Sequence, residues 1–321
     1  MNIIALLYVD NEVKDSDLSF SGKYLPVELK DRLNSCGLFT AVKYSAINGF
    51  TGKIDSEIYY REDRDDVSFW KDTFDRSGAD HIVKIFCDSP FLDTDIISEM
   101  IEVHTKYLAE FTYSENLPQG FSCEIISKEL INAIPGQVEK TLPLGQVIRS
   151  NINKFDVELY YKAPDIRDKR LSFRTGNPRE MRIMENIVNI SGKIPKYTEV
   201  GEIIDKNPEV LYLCPSYLEI ELTGNCMLDC IFCFRNTLKY KRPDMDIGLF
   251  KKLLNDMSVF KLPYSICFGG SGEPLMHKNF YEFLDAVKKE DLVENIILYL
   301  LIGILIVILL AFFLAVIDFL F

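Results

Sequence analysis

The chain has 321 residues, 48% of them hydrophobic, with 36 Lys and Arg against 48 Asp and Glu and a formal net charge of -12. That length and composition support packed cores in two domains, and the acidic balance excludes a general nucleic-acid binder, which needs a basic surface. Eight scattered cysteines, with no basic n-region ahead of the first apolar run, point to a reducing compartment rather than a secreted disulfide framework.

In chain order, residues 3–9 read as a buried strand, 26–33 as a helix, 39–47 as a strand, 70–76 as a helix and 81–86 as a strand. An amphipathic helix over 96–108 follows the turn Cys87-Asp-Ser-Pro-Phe-Leu-Asp-Thr-Asp95. Alternation at this spacing predicts an α/β domain over 1–190 with a doubly wound parallel sheet and ligands at the carboxyl strand ends. Lys162, Arg167, Lys169, Arg170, Arg174, Arg179 and Arg182 form a basic stretch. Because Asp165, Asp168 and Glu180 are interleaved with them, a solvated face is favoured over phosphate contacts. Residues 191–208, with two prolines and two glycines, read as a short linker.

Gly78-Ala-Asp-His-Ile-Val-Lys-Ile-Phe-Cys-Asp-Ser-Pro-Phe-Leu-Asp93, with Phe111-Thr-Tyr-Ser-Glu-Asn-Leu-Pro-Gln-Gly-Phe121 and Cys123-Glu-Ile-Ile-Ser127, resembles the sugar cytidylyltransferases. The resemblance covers roughly 1–190 and implies the nucleotide-diphospho-sugar transferase fold. It also implies that Asp88 holds Mg2+ beside nucleotide phosphates, the oxygen-rich coordination magnesium takes; the alternative is a turn carboxylate before Pro90. Two departures bear on activity. The family's basic glycine loop is replaced by the mostly acidic Asp10-Asn-Glu-Val-Lys-Asp-Ser-Asp17, with Gly22-Lys23 as a remnant. Arg174, in Leu171-Ser-Phe-Arg-Thr-Gly-Asn-Pro178, stands where the family places its second metal carboxylate. The expectation is a degenerate domain that transfers no cytidylyl group and serves recognition or scaffolding.

Residues 209–321 read as a second domain. An alternating strand over 217–222 leads into Gly224-Asn-Cys-Met-Leu-Asp-Cys-Ile-Phe-Cys233. A helix over 246–257, with Phe250, Leu253, Leu254 and Met257 on one face, precedes Ser265-Ile-Cys-Phe-Gly-Gly-Ser-Gly-Glu-Pro274. A helix over 279–289 and a strand over 293–298 complete a βαβαβ start to a parallel barrel, with both motifs at carboxyl strand ends. Cys226, Cys230 and Cys233 can hold three corners of an iron-sulfur cube, leaving one iron open. Structural zinc wants four ligands, and the nearest further candidates, Cys214, Cys267 and His277, lie outside the paired spacing. The glycine segment alone is compatible with an ordinary turn, although Glu273 can accept hydrogen bonds from an ammonium.

The C-x3-C-x-aromatic-C pattern, with Phe232 before the third cysteine and Arg235 after it, together with the second motif, resembles the radical S-adenosylmethionine (SAM) superfamily. The resemblance implies a [4Fe-4S] cluster on Cys226, Cys230 and Cys233, Phe232 against the SAM adenine, and Gly269, Gly270, Gly272 and Glu273 around the methionine amino group. It further implies an electron donor such as a flavodoxin or ferredoxin, and a 5′-deoxyadenosyl radical that takes hydrogen from a substrate the sequence does not name. A degenerate transferase-like domain ahead of a radical SAM core most resembles the spiro-SPASM proteins. Those continue through a full barrel into a cysteine-rich domain, so the second domain is expected to be incomplete.

Residues 296–317 carry no charge and are long enough to cross a bilayer core of about 30 Å. Residue physics reads them as a tail anchor, whereas the resemblance places a third barrel strand at their start. Two function classes remain open from the sequence. One is a cytoplasmic radical SAM enzyme acting on a peptide or glycan-related substrate; the other is a membrane-tethered, non-catalytic nucleotide-sugar-like binding module with a remnant cluster site.

Overall fold

A computed structural model of the protein describes residues 1–62, 67–134, 143–227, 237 and 243–298. The chain divides into two compact units, Met1–Leu211 and Tyr212–Phe321.

The first unit begins with β1 (Ile3–Tyr8), the hairpin β2 (Ser19–Phe20) and β3 (Lys23–Tyr24), α1 (Leu25–Ser35), β4 (Ala41–Ile47) and β5 (Ile58–Arg61). It continues through α2 (Val67–Ser77), β6 (His81–Phe86), α3 (Thr94–Lys106), β7 (Phe111–Tyr113), β8 (Glu124–Ser127), α4 (Lys128–Ala133) and α5 (Leu144–Ser150). Last come β9 (Val157–Leu159), α6 (Pro178–Ser191) and α7 (Tyr197–Lys206). The large sheet has the order β5-β4-β1-β6-β8-β7-β9. All six residues of β1 are buried because helices cover both faces of the sheet, the condition under which a strand reads as a continuous apolar run. Leu29, Leu33, Ile97 and Met100 pack on one face, and Trp70, Phe74, Leu130 and Val147 on the other.

The doubly wound expectation holds with one difference: the sheet is mixed. β1 pairs in parallel with β4 and β6, whereas β8 runs antiparallel to both β6 and β7. The chain returns from β7 to β8 without an intervening α-helix, and antiparallel neighbours need no crossover helix.

Segment 191–208 differs from the expected linker. Tyr197, Val200, Gly201 and Ile204 are buried at helical spacing along α7, and the Phe121 and Tyr197 rings meet edge to face at 5.2 Å. Of the residues that suggested a linker, Gly201 packs inside α7 against Ile166, and the other three are helix punctuation. Gly192, at φ +70°, ends α6, while Pro195 and Pro208 lie outside the two ends of α7. Gly22-Lys23, read as a phosphate-loop remnant, lies at the tip of the β2–β3 hairpin.

The second unit contains β10 (Tyr217–Ile220), α8 (Ile247–Ser258), β11 (Tyr264–Phe268), α9 (Phe280–Val287) and β12 (Val293–Leu298). Its strands pair in parallel in sequence order. The Asp246 carboxylate caps α8 through the Leu249 amide. Phe250, Leu254, Phe280 and Phe283 pack with Ile220, Ile266 and Phe268, so the period-2 and period-3.6 patterns meet in one apolar layer. Ile296, Ile297 and Leu298 pair with Ile266, Cys267 and Phe268 as the third strand. A helical anchor therefore cannot begin at residue 296; residues 299–317 lie outside the described residues. Among the described residues no helix is long and apolar enough to cross a membrane.

Candidate functional site

The root of the cysteine loop and the glycine loop continue side by side past the ends of β10 and β11. The Gly269 amide donates to the Ile220 carbonyl at 3.1 Å, and the Glu273 amide donates to the Asn225 carbonyl at 2.7 Å. Between them, a Cβ at Gly272 would lie 1.8 Å from the Thr223 carbonyl oxygen, so only glycine permits this approach. Thr223, 1% exposed, donates its hydroxyl to Asp244 at 2.6 Å and accepts from the Asn225 amide at 3.1 Å. These contacts lay the glycine loop along residues 220–225, with Gly269 at Ile220 and with Gly272 and Glu273 at Asn225, the residue before Cys226.

The Glu273 side chain supplies the most specific feature of this loop. The residue is 8% exposed, and among the described residues its carboxylate accepts only from the Leu275 amide, at 3.3 Å. A buried carboxylate has several acceptor positions, and the described residues use one of them. Cys226 is partly exposed. Cys230, Phe232, Cys233 and Arg235 lie outside the described residues.

The alternative zinc ligands are not brought together. Cys214 packs in the apolar core with Phe250 and Tyr264, and Cys267 is fully buried. His277 has both ring nitrogens engaged: Nε2 faces the Met245 carbonyl at 3.2 Å and Nδ1 faces the Asn279 amide at 3.1 Å. Those partners fit the neutral tautomer with its proton on Nε2. Among the described residues no group of three or more His, Cys, Asp and Glu side chains could hold a metal ion.

In the first unit, the expected Mg2+ ligand Asp88 is engaged by an arginine. The Thr175 amide donates to the Asp88 carbonyl at 2.9 Å, pinning segment 171–178 to the end of β6. Arg174 Nε then reaches both Asp88 oxygens, at 2.9 and 3.0 Å, and an Nη reaches Asp10 at 3.0 Å. The guanidinium also lies 4.1 Å from the centre of the Phe86 ring. Burial pushes the Asp88 carboxyl above the usual range more strongly than Arg174 pulls it down, while the paired carboxylates hold the guanidinium firmly protonated against its own burial. Glu12 and Glu180 line the same cleft. The position expected to repel a metal thus carries an internal cation bound by two carboxylates. The sequence marks Arg174, but Asp10 joins the site only through the pairing of β1 with β6.

A histidine pair in the same unit had no sequence signal. His104 Nδ1 meets Thr112 Oγ1 at 2.8 Å, and its Nε2 meets His81 Nδ1 at 3.0 Å. His104 is 1% exposed; burial, and then His81, push its pKa down to about 4. Asp80, Glu129 and the amino terminus surround His81. Because the folded chain keeps His104 neutral while the unfolded chain titrates near 6.5, stability is complete above about pH 6.5. It declines as pH falls toward 4, by about 3 kcal/mol for the shift itself. Urea midpoints for wild type and His104→Gln across pH 4–7.5 check this: the variant should show a shallower loss, and identical slopes would remove His104 as the cause.

Comparison with known proteins bears on both units. Residues 220–308 match the Radical SAM superfamily. A Pyrococcus furiosus protein described as a tungsten-containing aldehyde ferredoxin oxidoreductase cofactor-modifying protein is 41% identical over 73 residues, 23% of this chain. The chain spans 20% of that relative's length in the match. A cytidylyltransferase from Leptospira borgpetersenii superposes with a TM-score of 0.53 at 16% identity, covering 66% of this chain and 97% of that one. That likeness is one of fold.

Proposed function

On the premise that residues 220–308 are a radical SAM segment, we propose that the chain binds a [4Fe-4S] cluster through Cys226, Cys230 and Cys233 and SAM through Phe232, Gly269, Gly270, Gly272 and Glu273. With an electron from a flavodoxin- or ferredoxin-like donor, the chemistry such a cluster would supply is one-electron reduction of the SAM sulfonium, which breaks its C–S bond into methionine and a 5′-deoxyadenosyl radical able to take hydrogen from the substrate and leave as 5′-deoxyadenosine. The observation that carries this proposal is the glycine loop running beside the cysteine-loop root, with a buried Glu273 carboxylate that, among the described residues, accepts only from the Leu275 amide. Its chemistry fits the SAM ammonium. Gly270 and Gly272 remove the side-chain bulk that would push the two loops apart.

The chain's own residues bind, orient and exclude water around the cofactor. Glu273 would accept from the ammonium, Thr223 and Asn225 hold the floor of the loop, and Phe232 would cover the adenine. The substrate is proposed as peptide or glycan-related, and the cofactor-modifying role described for the Pyrococcus relative supports a modification reaction. The first unit is proposed as a recognition or scaffold domain, because Arg174 takes up both oxygens of Asp88. A cytoplasmic location is proposed with it, supported by the reducing conditions that such a cluster and unpaired thiols require.

The test is SAM binding by reconstituted, reduced protein together with release of 5′-deoxyadenosine. Glu273→Ala should weaken binding about tenfold or more, as loss of a charge-assisted hydrogen bond would. Unchanged affinity would remove Glu273 from the site. If wild type neither binds SAM nor releases 5′-deoxyadenosine, the functional proposal fails.

A further inference from the structure

Glu221, one residue past the end of β10, makes the central contact between the two loops. We infer that Glu221 is a positioning residue for the glycine loop and, resting on the SAM site proposed above, that it sets SAM affinity without touching SAM. The Ser271 amide and hydroxyl both donate to Glu221 Oε2, at 2.5 and 2.6 Å. Two donors converging on one carboxylate oxygen fix both the backbone and the side-chain rotamer of Ser271, and bonds to an ionised acceptor are the stronger class.

The loop also closes over the Glu221 side chain sterically. Gly270 has φ +107°, and a Cβ there would lie 2.5 Å from Oε2 and 2.7 Å from the Glu221 Cβ. The backbone therefore rests directly on the carboxylate. Ser271 is two residues before Glu273 and sits between the two backbone contacts at Gly269 and Glu273. Without the carboxylate, Gly269, Gly270 and Gly272 leave the segment with many accessible conformations. If the binding-competent arrangement fell to about a tenth of the population, apparent affinity would fall about tenfold.

The experiment compares wild type, Glu221→Ala and Glu221→Gln as full chains reconstituted with iron and sulfide. It measures SAM affinity, iron per chain and hydrogen exchange of residues 269–273. Glu221→Ala should bind SAM about tenfold more weakly and exchange faster in the loop, with its iron content unchanged. Glu221→Gln should stay within about threefold of wild type, because its amide oxygen accepts the same two bonds. Wild-type affinity and exchange in Glu221→Ala overturn the inference. So does iron loss in Glu221→Ala, which would assign the residue to the cluster. Glu221→Gln as weak as Glu221→Ala with iron intact overturns it too, since the charge of Glu221, rather than its two bonds to Ser271, would then set the affinity. Wild type that binds no SAM removes the proposed site, and the exchange rates then decide whether Glu221 holds the loop.

Discussion

Anaerobic reconstitution with iron and sulfide is expected to give a brown protein with about four irons per chain, the stoichiometry of a cube held at three corners. Cys226→Ala or Cys230→Ala is expected to abolish the colour, the largest effect proposed for the second unit. Cys226 follows the residue whose carbonyl accepts from the Glu273 amide, so its removal takes away a proposed cluster ligand next to that backbone contact. Cys214→Ala and Cys267→Ala serve as controls. Both side chains are buried, and their truncation should leave the iron content intact. Stoichiometric zinc with no recoverable iron-sulfur absorption would overturn the cluster assignment.

Arg174→Ala is expected to destabilise the first unit by about 3–5 kcal/mol, the usual cost of leaving a buried charge without its partner. The Asp88 side chain is 2% exposed and that of Arg174 15%, so solvent cannot replace the guanidinium at Asp88. For a domain of this size the loss corresponds to a melting temperature lower by on the order of 10 °C. Millimolar Mg2+ or Mn2+ should raise the melting temperature of Arg174→Ala more than that of wild type, because Asp10 and Asp88 would be left to share a cation. Wild type, whose Asp88 oxygens are already taken, should release no pyrophosphate from CTP with any activated sugar. A variant melting within a degree of wild type would show that the triad contributes little. Pyrophosphate release dependent on Asp88 would overturn the scaffold assignment.

Much of the fold was legible because its signals are local. The unbroken apolar run of β1, the one-sided spacing of Phe250, Leu253, Leu254 and Met257, and the glycine-rich end of β11 each announce an element within a few residues. β7 and β9 are three residues long, too short for alternation to register. β8 contains Ile125 and Ile126, but nothing local says that it enters the sheet antiparallel between β6 and β7. Residues 191–208 misled because glycine and proline mark helix ends as readily as they mark linkers, and the difference lies in whether Tyr197, Val200 and Ile204 have a core to enter.

The candidate sites divide in the same way. The proposed site of the second unit, with its cysteine spacing, Phe232, the glycine segment and Glu273, is argued from the sequence because residue type and spacing within one short motif limit the available chemistry. The replacement of a metal carboxylate by Arg174 is also visible in the sequence, although its consequence is not. That Asp10 is its second partner, that His81 meets His104, and that Glu221 holds Ser271 are decided by contacts between residues 164, 23 and 50 positions apart. Strand pairing sets those contacts: β1 beside β6 brings Asp10 to Asp88, and β10 beside β11 lays the glycine loop along Thr223 and Asn225. Residue type determines which chemistry is available, but the energy of a buried charge or an anchored loop depends on what lies within about 3 Å of it, and only the folded sheet supplies those neighbours.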